Sequence, residues 1–212
     1  APELMEHLPG SSVGNNRRVL LSELAGKSTI VKKISEFGNF SKNSPEVHEI
    51  ITELKNKENN GYEYEAAEAS FELLVRKQLG KFKPIAELNN YHLESFKTGG
   101  FSSKTTGRLF MEVDNKRVMG AGKDVGPVGT LDMAIRDALL PFYPFINKIS
   151  LVDYKVRVLN PENATAAKVR VFITSSDREH TWDTVGVSEN IVEASWEALL
   201  DSFEYYYNKY CI

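Results

Sequence analysis

The chain has 212 residues, 42% of them hydrophobic and 26% charged, with a net charge of −3; these values are typical of a globular protein with one large domain or two small ones. Its basic residues are scattered and no apolar run approaches the roughly 18 residues of a membrane span, so neither nucleic acid nor a membrane is an expected partner. The N-terminus lacks the features of a signal peptide and Cys211 is the single cysteine, which together favour a cytoplasmic protein without disulfides. Because the chain opens on Ala-Pro, we expect a piece of a longer protein.

Residues 1–82 are predicted to form a small, mainly helical connector. Serine, proline and glycine at helix boundaries indicate three short helices joined by polar turns. The first helix is predicted to start at Ser22 and to end at Gly26. The second is predicted to start at Ser44-Pro45 and to end at Asn60-Gly61, and the third to end at Gly80. The third helix is expected to bury one face made of Ala66, Ala69, Ser70, Leu73 and Leu74. This pattern is typical of a connecting element rather than of a catalytic core.

Residues 83–212 change in character and are rich in strand-forming segments. The segments "YHLESFK", "GRLFMEVD", "DYKVRVL" and "AKVRVFITSSD" combine β-branched and aromatic residues. Two further short strands are possible in "KRVMGAG" and "REHTWDT". We therefore place a domain boundary at about residue 82.

This second part contains an internal duplication. Sliding the sequence by sixty positions aligns Gly126 with Gly186, matches the apolar positions of two helices and aligns their preceding strands. The repeats are predicted at 89–148 and 149–208, each with two or three strands, a glycine turn and a helix. Neither repeat can bury its apolar faces alone, so we expect an α+β fold in which helices pack on antiparallel sheets. Alanines on the helices, such as Ala134 and Ala194, would allow a close approach to the sheet.

No motif of an active site is present. The sequence has no paired cysteines, no histidine pair at one-turn spacing, no nucleophile elbow and no Walker loop, so we predict neither catalytic nor metal-binding residues. The segment "GAGKDVGPVG" resembles a phosphate loop only superficially, because it lacks the Gly-Lys-Ser/Thr ending.

Two glycine turns that lead into helices remain as candidates for a binding site. Residues 126–130 and 186–190 are each predicted to present free backbone N–H groups at a helix N-terminus, which suits a carboxylate. Apolar side chains and acids lie beside them, so the pair could bind a free amino acid with a branched side chain. Structural turns with helix caps are the alternative.

Two long segments then connect the chain to a known family. "GVSENIVEASWEALLDSFEY" and "GYEYEAAEASFELLVRK" resemble the citramalate synthase branch of the 2-isopropylmalate/homocitrate synthase family. "VGNNRRVLLSELAGKSTI" and "GAGKDVGPVGTLDMAIRDAL" are similar to the connector and to the first regulatory repeat of the same enzymes. One departure is Met5, which stands before Glu6-His7 where related sequences usually have tyrosine.

The resemblance implies a connector followed by a regulatory domain of the LeuA allosteric dimerisation type. In that family, acetyl-CoA and a divalent metal belong to an N-terminal catalytic barrel that is absent here, so no cofactor is expected in this chain. The family's regulatory domain forms a homodimer and binds the end product isoleucine as a feedback inhibitor. The effector contacts that the resemblance implies are Pro127, Val128, Gly129, Leu151, Tyr154, Val158, Val187, Ser188 and Asn190.

Several alternatives stay open at this point. The chain could be the leucine-sensing counterpart from 2-isopropylmalate synthase, or a dimerisation scaffold without ligand. Leu151 and Val158 could be ordinary core residues, Tyr154 a cross-strand packing residue, and Ser188 only a helix cap.

Overall fold

The structure is a computed structural model, and it describes residues 27–97, 99–100 and 102–212. The predicted helix from Ser22 to Gly26 and the segment around Met5 lie outside the described residues.

The connector contains three described α-helices, α1 (Lys27–Ile34), α2 (Pro45–Asn59) and α3 (Glu68–Gln78). The predicted start of α2 is confirmed, because Ser44 is its N-cap and the Ser44 hydroxyl accepts a hydrogen bond from the Val47 amide. The end of α3 is also as predicted: Gly80 follows with φ +63°, and the Lys81 amide donates to the Arg76 carbonyl. Ala66 was wrongly placed on the buried face, since it is exposed and precedes the helix.

Six strands and two helices follow, in the order strand, strand, strand, helix, repeated once. They are β1 (Glu87–Phe96), β2 (Lys104–Val113), β3 (Lys116–Asp124), α4 (Pro127–Leu139), β4 (Ser150–Val158), β5 (Val169–Ser176), β6 (Thr181–Ser188) and α5 (Ile191–Tyr206). Each trio forms its own antiparallel three-stranded sheet, in the orders β1-β2-β3 and β4-β5-β6. The predicted α+β class and its two repeats are confirmed. The division of the chain at residue 82 and the repeat bounds stay predictions.

The offset between the repeats is 64 residues from β2 onward and 63 residues between β1 and β4, so the predicted offset of sixty was wrong. The helix N-caps, Gly126 and Asn190, are 64 residues apart, as are Gly122 and Gly186, which face the same turn of their respective helices. An error of four residues is close to one turn of a helix and is an even number of positions along a strand. The apolar patterns of helices and of strands therefore still match almost as well. For this reason the pattern alone could not detect it.

Glycines in the last strand of each repeat let the helix backbone approach the sheet. A Cβ atom built on Gly122 would lie 2.1 Å from the Thr130 carbonyl oxygen, and one on Gly186 would lie 2.0 Å from that of Ala194. Ala194 and its neighbour Ala198 are fully buried at this contact. The predicted role of the helix alanines in close packing is confirmed, and Gly186 proves to be a strand residue rather than part of a turn.

Two apolar cores hold these layers together. The larger core lies between the helices and the sheets of both repeats and includes Leu109, Ile135, Ile173 and Phe203. The smaller core belongs to the connector, and it includes Phe172 and Val185 from the opposite face of the second sheet. The second sheet is therefore packed on both faces, by α5 on one side and by the connector on the other.

Candidate functional site

The first group of predicted contacts lies at the N-terminus of α4. Gly126 is the N-cap and Pro127 the first helical residue, and no side chain caps this end of the helix. The carboxylate of Asp124 lies against Gly129, because a Cβ atom built on Gly129 would be 1.7 Å from Asp124 Oδ2. A ligand at this helix end would therefore meet both unused backbone amides and a negative charge, which suits an amino acid with its two opposite charges.

The second helix end has a side-chain cap, which is the alternative that the sequence left open. Asn190 is the N-cap of α5, and its side chain accepts a hydrogen bond from the Val192 amide at 2.9 Å. Ser188 Oγ accepts from the Asn190 amide at 3.1 Å and donates to the Glu193 carboxylate at 3.0 Å. The N-terminus of α5 therefore has a side-chain cap that α4 lacks, because Asn190 stands where α4 has Gly126.

Three predicted contacts lie on one face of β4, the face that points toward α5. Leu151, Tyr154 and Val158 pair across the sheet with Ser175, Ile173 and Val169. A register shift between Leu151 and Asp153 keeps Leu151 on the side of Tyr154 despite a spacing of three residues. Sequence reasoning gave no signal for this bulge, and β1 has its counterpart between Leu88 and Asn90.

Tyr154 is fixed by a hydrogen bond to the first turn of α5. Its hydroxyl shares a 2.9 Å hydrogen bond with Ser195 Oγ, which itself donates to the Ile191 carbonyl at 2.6 Å. Leu151 is 37% exposed and Val158 55% exposed, so in this chain neither is a core residue. Alternation along β4 adds Val156, 38% exposed, to the same apolar face, a residue that the sequence prediction omitted.

The predicted contacts thus fall into separate places. Val158 and Ser188 lie in one row of the second sheet, since both pair with Val169. Val187 points to the opposite face, where it packs against the connector core, and its amide donates to Glu197 at 3.2 Å. Residues 127–129 belong to the other repeat. Within this chain the structure brings Tyr154 and Val158 close to the start of α5, whereas Leu151 lies at the other end of β4 and Val187 on the opposite face.

A second polar region, which the prediction missed, lies between the connector and α5. Glu197, Asp201 and Glu204 share one face of α5 at spacings of four and three residues, a pattern that marks one helix face. Tyr62 donates to Glu197 at 2.6 Å, and Lys77 lies 3.6 Å from Asp201. Burial raises the pKa of Asp201 to about 6 and that of Glu204 to about 8, against the opposing charge of Lys77.

Among the described residues, no group of three His, Cys, Asp or Glu side chains could hold a metal ion. No helix in the same part of the chain is long and apolar enough to cross a membrane.

The sequence profile of the LeuA allosteric (dimerisation) domain matches residues 65–207. The chain belongs to this family. The match begins just before α3 and includes both repeats of the LeuA domain, so it covers the β4 face, the two helix N-termini and the acidic face of α5.

Individual relatives match over the connector as well. The chain is 43% identical to the (R)-citramalate synthase of Aquifex aeolicus over 94% of its length, and 42% identical to that of Geobacter sulfurreducens over 98%. The (R)-citramalate synthase of Synechocystis is 37% identical over 96% of the chain. The chain spans 38–40% of the length of these relatives.

Proposed function

We propose that this chain is the regulatory, dimer-forming part of a citramalate synthase and that it binds isoleucine as a feedback inhibitor. The observation that carries the proposal is the similarity to three (R)-citramalate synthases over nearly the whole chain, within an allosteric dimerisation family. A catalytic barrel in the rest of the protein would use acetyl-CoA and a divalent metal.

The exposed apolar face of β4 supports the dimer. Leu151, Val156 and Val158 point toward the helix layer, yet they remain between 37% and 55% exposed, and Ile191 at the start of α5 is 41% exposed. A contiguous apolar surface of this kind is typical of a contact with another protein. A second copy of the chain would cover it.

The arrangement of the two repeats supports a ligand site between helix ends and strands. Burial raises the pKa of Tyr91 on β1, and the negative charge of Glu193 at the start of α5 raises it further, so β1 of the first repeat lies within electrostatic range of the helix of the second. Tyr154 and Gly129 are the counterparts of Tyr91 and Glu193. A twofold relation between the repeats would thus bring Tyr154 toward the uncapped end of α4.

In this site the uncapped amides of α4 would bind the carboxyl group of isoleucine and Asp124 its ammonium group. Val156 and Val158, which are adjacent on one face of β4, would hold the branched side chain, and Leu151 lies farther along the same face. Feedback inhibition would follow from thermodynamic linkage between ligand binding and the arrangement of the dimer. Isoleucine can shift the equilibrium between two arrangements only by the difference in its binding free energy for them, typically about 1–3 kcal/mol.

Calorimetric titration of the chain with isoleucine tests the proposal. We expect measurable heat and a rise in melting temperature of a few degrees at saturation. Tyr154→Ala should abolish both effects because it removes the side chain that joins β4 to α5, whereas Lys155→Ala, on the opposite face of the same strand, should retain them. Leucine is the second titrant, and a single methyl shift is worth only about 1–3 kcal/mol, so some cross-binding is expected.

Stronger binding of leucine than of isoleucine would favour the leucine-sensing alternative. The absence of heat and of any thermal shift with both amino acids would leave only a dimerisation scaffold.

A further inference from the structure

Arg136, near the C-terminal end of α4, joins four parts of the molecule. Its Nε donates to Asp132 Oδ2 at 2.8 Å, one turn back on the same helix. Its Nη1 donates to the carbonyl oxygens of Ile146 and Ile149 at 3.1 and 2.7 Å, and Ile149 directly precedes β4. The guanidinium carbon also lies 5.0 Å from the ring centre of Phe203 on α5. This side chain therefore connects α4, the linker between the repeats, the start of β4 and α5.

These contacts belong to the junction between the repeats and not to the fold of one repeat. The position 64 residues after Arg136 is Leu200 on α5, which packs against the larger apolar core. A residue that each repeat needed for its own packing would be expected at both positions. The arginine therefore serves the passage of the chain from the first repeat into β4.

The contacts of β4 fix its direction along α5. At its start, Ile149 and Phe203 both contact Arg136. Farther on, the Tyr154 hydroxyl bonds to Ser195, which lies eight residues before Phe203 on α5. Eight residues of helix extend about 12 Å, and the five residues of strand from Ile149 to Tyr154 about 16 Å. β4 thus runs from Arg136 toward the N-terminus of α5.

The helix α4 runs in the same direction as α5. A Cβ atom built on Gly107 would contact both Leu93 of β1 and Thr130 in the first turn of α4, so the start of α4 lies beside Leu93. Tyr91, two residues away on β1, lies within electrostatic range of Glu193 in the first turn of α5. The N-termini of both helices therefore lie near the middle of β1, and the helices meet again farther along at Arg136.

We propose that Arg136 is a positioning residue for the effector site, because it holds the start of β4 at a fixed point along α4 and so sets where Tyr154 lies relative to the start of that helix. Val128, in the uncapped first turn, lies eight residues before Arg136, as Ser195 does before Phe203. The inference rests on the proposed binding of isoleucine, whose carboxyl group α4 would hold and whose side chain β4 would hold. A guanidinium suits this role, because its planar fork donates in several fixed directions at once.

Calorimetric titration of Arg136→Lys with isoleucine tests the inference. The variant keeps a positive charge beside Asp132, but a single ammonium group on a flexible stem cannot also hold both linker carbonyls. Its affinity for isoleucine should therefore fall by about five- to tenfold. Without ligand, the amides at the start of β4 should exchange with solvent about tenfold faster than in the native chain, and those of β2 should change by less than about threefold.

Arg76→Lys is the matched control. Arg76 also pairs with an acid four residues earlier, Glu72, and lies 5.2 Å from the ring centre of Phe37, but its described side-chain hydrogen bonds reach no strand. This variant should bind isoleucine as the native chain does. An equal loss of affinity in Arg76→Lys would trace the effect to a general loss of stability and overturn the inference.

Native affinity in Arg136→Lys would overturn it too, because β4 would then be placed without the fork. Absence of isoleucine binding by the native chain would instead contradict the proposed function. In that case the exchange of the β4 amides would still decide whether Arg136 holds the strand, and unchanged exchange would count against it.

Discussion

At the scale of single residues, Gly122 and Gly186 set how closely each helix packs on its sheet. Neither glycine has a positive φ, so neither is needed for an unusual backbone conformation. Their role is to leave room for the backbone of the helix. At Gly186 the neighbour of an added methyl group is a backbone carbonyl of α5, which cannot rotate away as a flexible side chain could. The whole helix would have to shift.

We therefore expect Gly186→Ala to lower the free energy of unfolding by roughly 3 kcal/mol, since an overpacked core forces backbone movement. Gly126→Ala is the control: a Cβ atom there meets nothing within 4 Å, and replacing a glycine N-cap costs less than about 1 kcal/mol. Urea denaturation of both variants measures the difference. Equal losses would show that α5 adjusts without strain.

Glu204 and Asp201 make the stability of the folded chain sensitive to pH. Both carboxyls have a raised pKa in the folded chain, mainly through burial, and Glu204 also feels the charge of Asp201 while Lys77 opposes the shift. The folded chain thus holds protons that the unfolded chain has already released. Its free energy of unfolding falls as the pH rises from about 4.5 toward 8, and the loss above pH 6 belongs mainly to Glu204.

The melting temperature should accordingly drop by roughly 3–8 °C between pH 5 and pH 8.5. Glu204→Gln removes the ionisation, so its melting temperature should vary less over this window. Glu162→Gln is a control at an exposed position without a resolved interaction with these groups. A native chain whose stability increases over the same range would contradict this account.

At the scale of the elements, the sequence predicted the order of strands and helices better than their mutual alignment. Helix-boundary residues such as Ser44 and Gly80 act within one turn of the chain, so a short stretch of sequence is enough to predict their effect. The true repeat offset and the bulge in β4 depend on contacts between distant strands, and an error of four residues does not change either periodicity. The side-chain closure of the α5 N-terminus was also hidden, because Ser188 and Asn190 suit a ligand and a cap equally well.

The candidate site shows the same difference between features that depend on local sequence and features that depend on distant contacts. Leu151, Tyr154 and Val158 share a face only because of the bulge, which the sequence did not predict, and their exposure could not be foreseen because alternation does not show what covers a face. Val187 was assigned through the family resemblance of its loop, and it lies on the opposite face. The acidic face of α5 was visible as a spacing, yet only the packing of α3 explains why charges are buried there.

At the scale of the whole molecule, the exposed face of β4 predicts self-association. Val156→Asp places a charge in the centre of this face and should weaken the dimer by at least about tenfold, because an unpaired charge would have to be buried. Lys155→Asp changes the neighbouring residue on the opposite face and should leave the dimer unchanged. Sedimentation equilibrium across a concentration series measures both. A Val156→Asp chain that associates as well as the native one would place the contact elsewhere.

The bulges in β1 and β4 have a practical consequence for anyone who attaches probes to this protein. Odd and even positions exchange sides at the bulge, so a fluorophore on residue 151 reports from the same side as one on residue 154 or 156, and not from the side of residue 153 or 155. The same applies around residues 88 and 90. Labelling schemes that count by twos through either strand would assign their signals to the wrong surface.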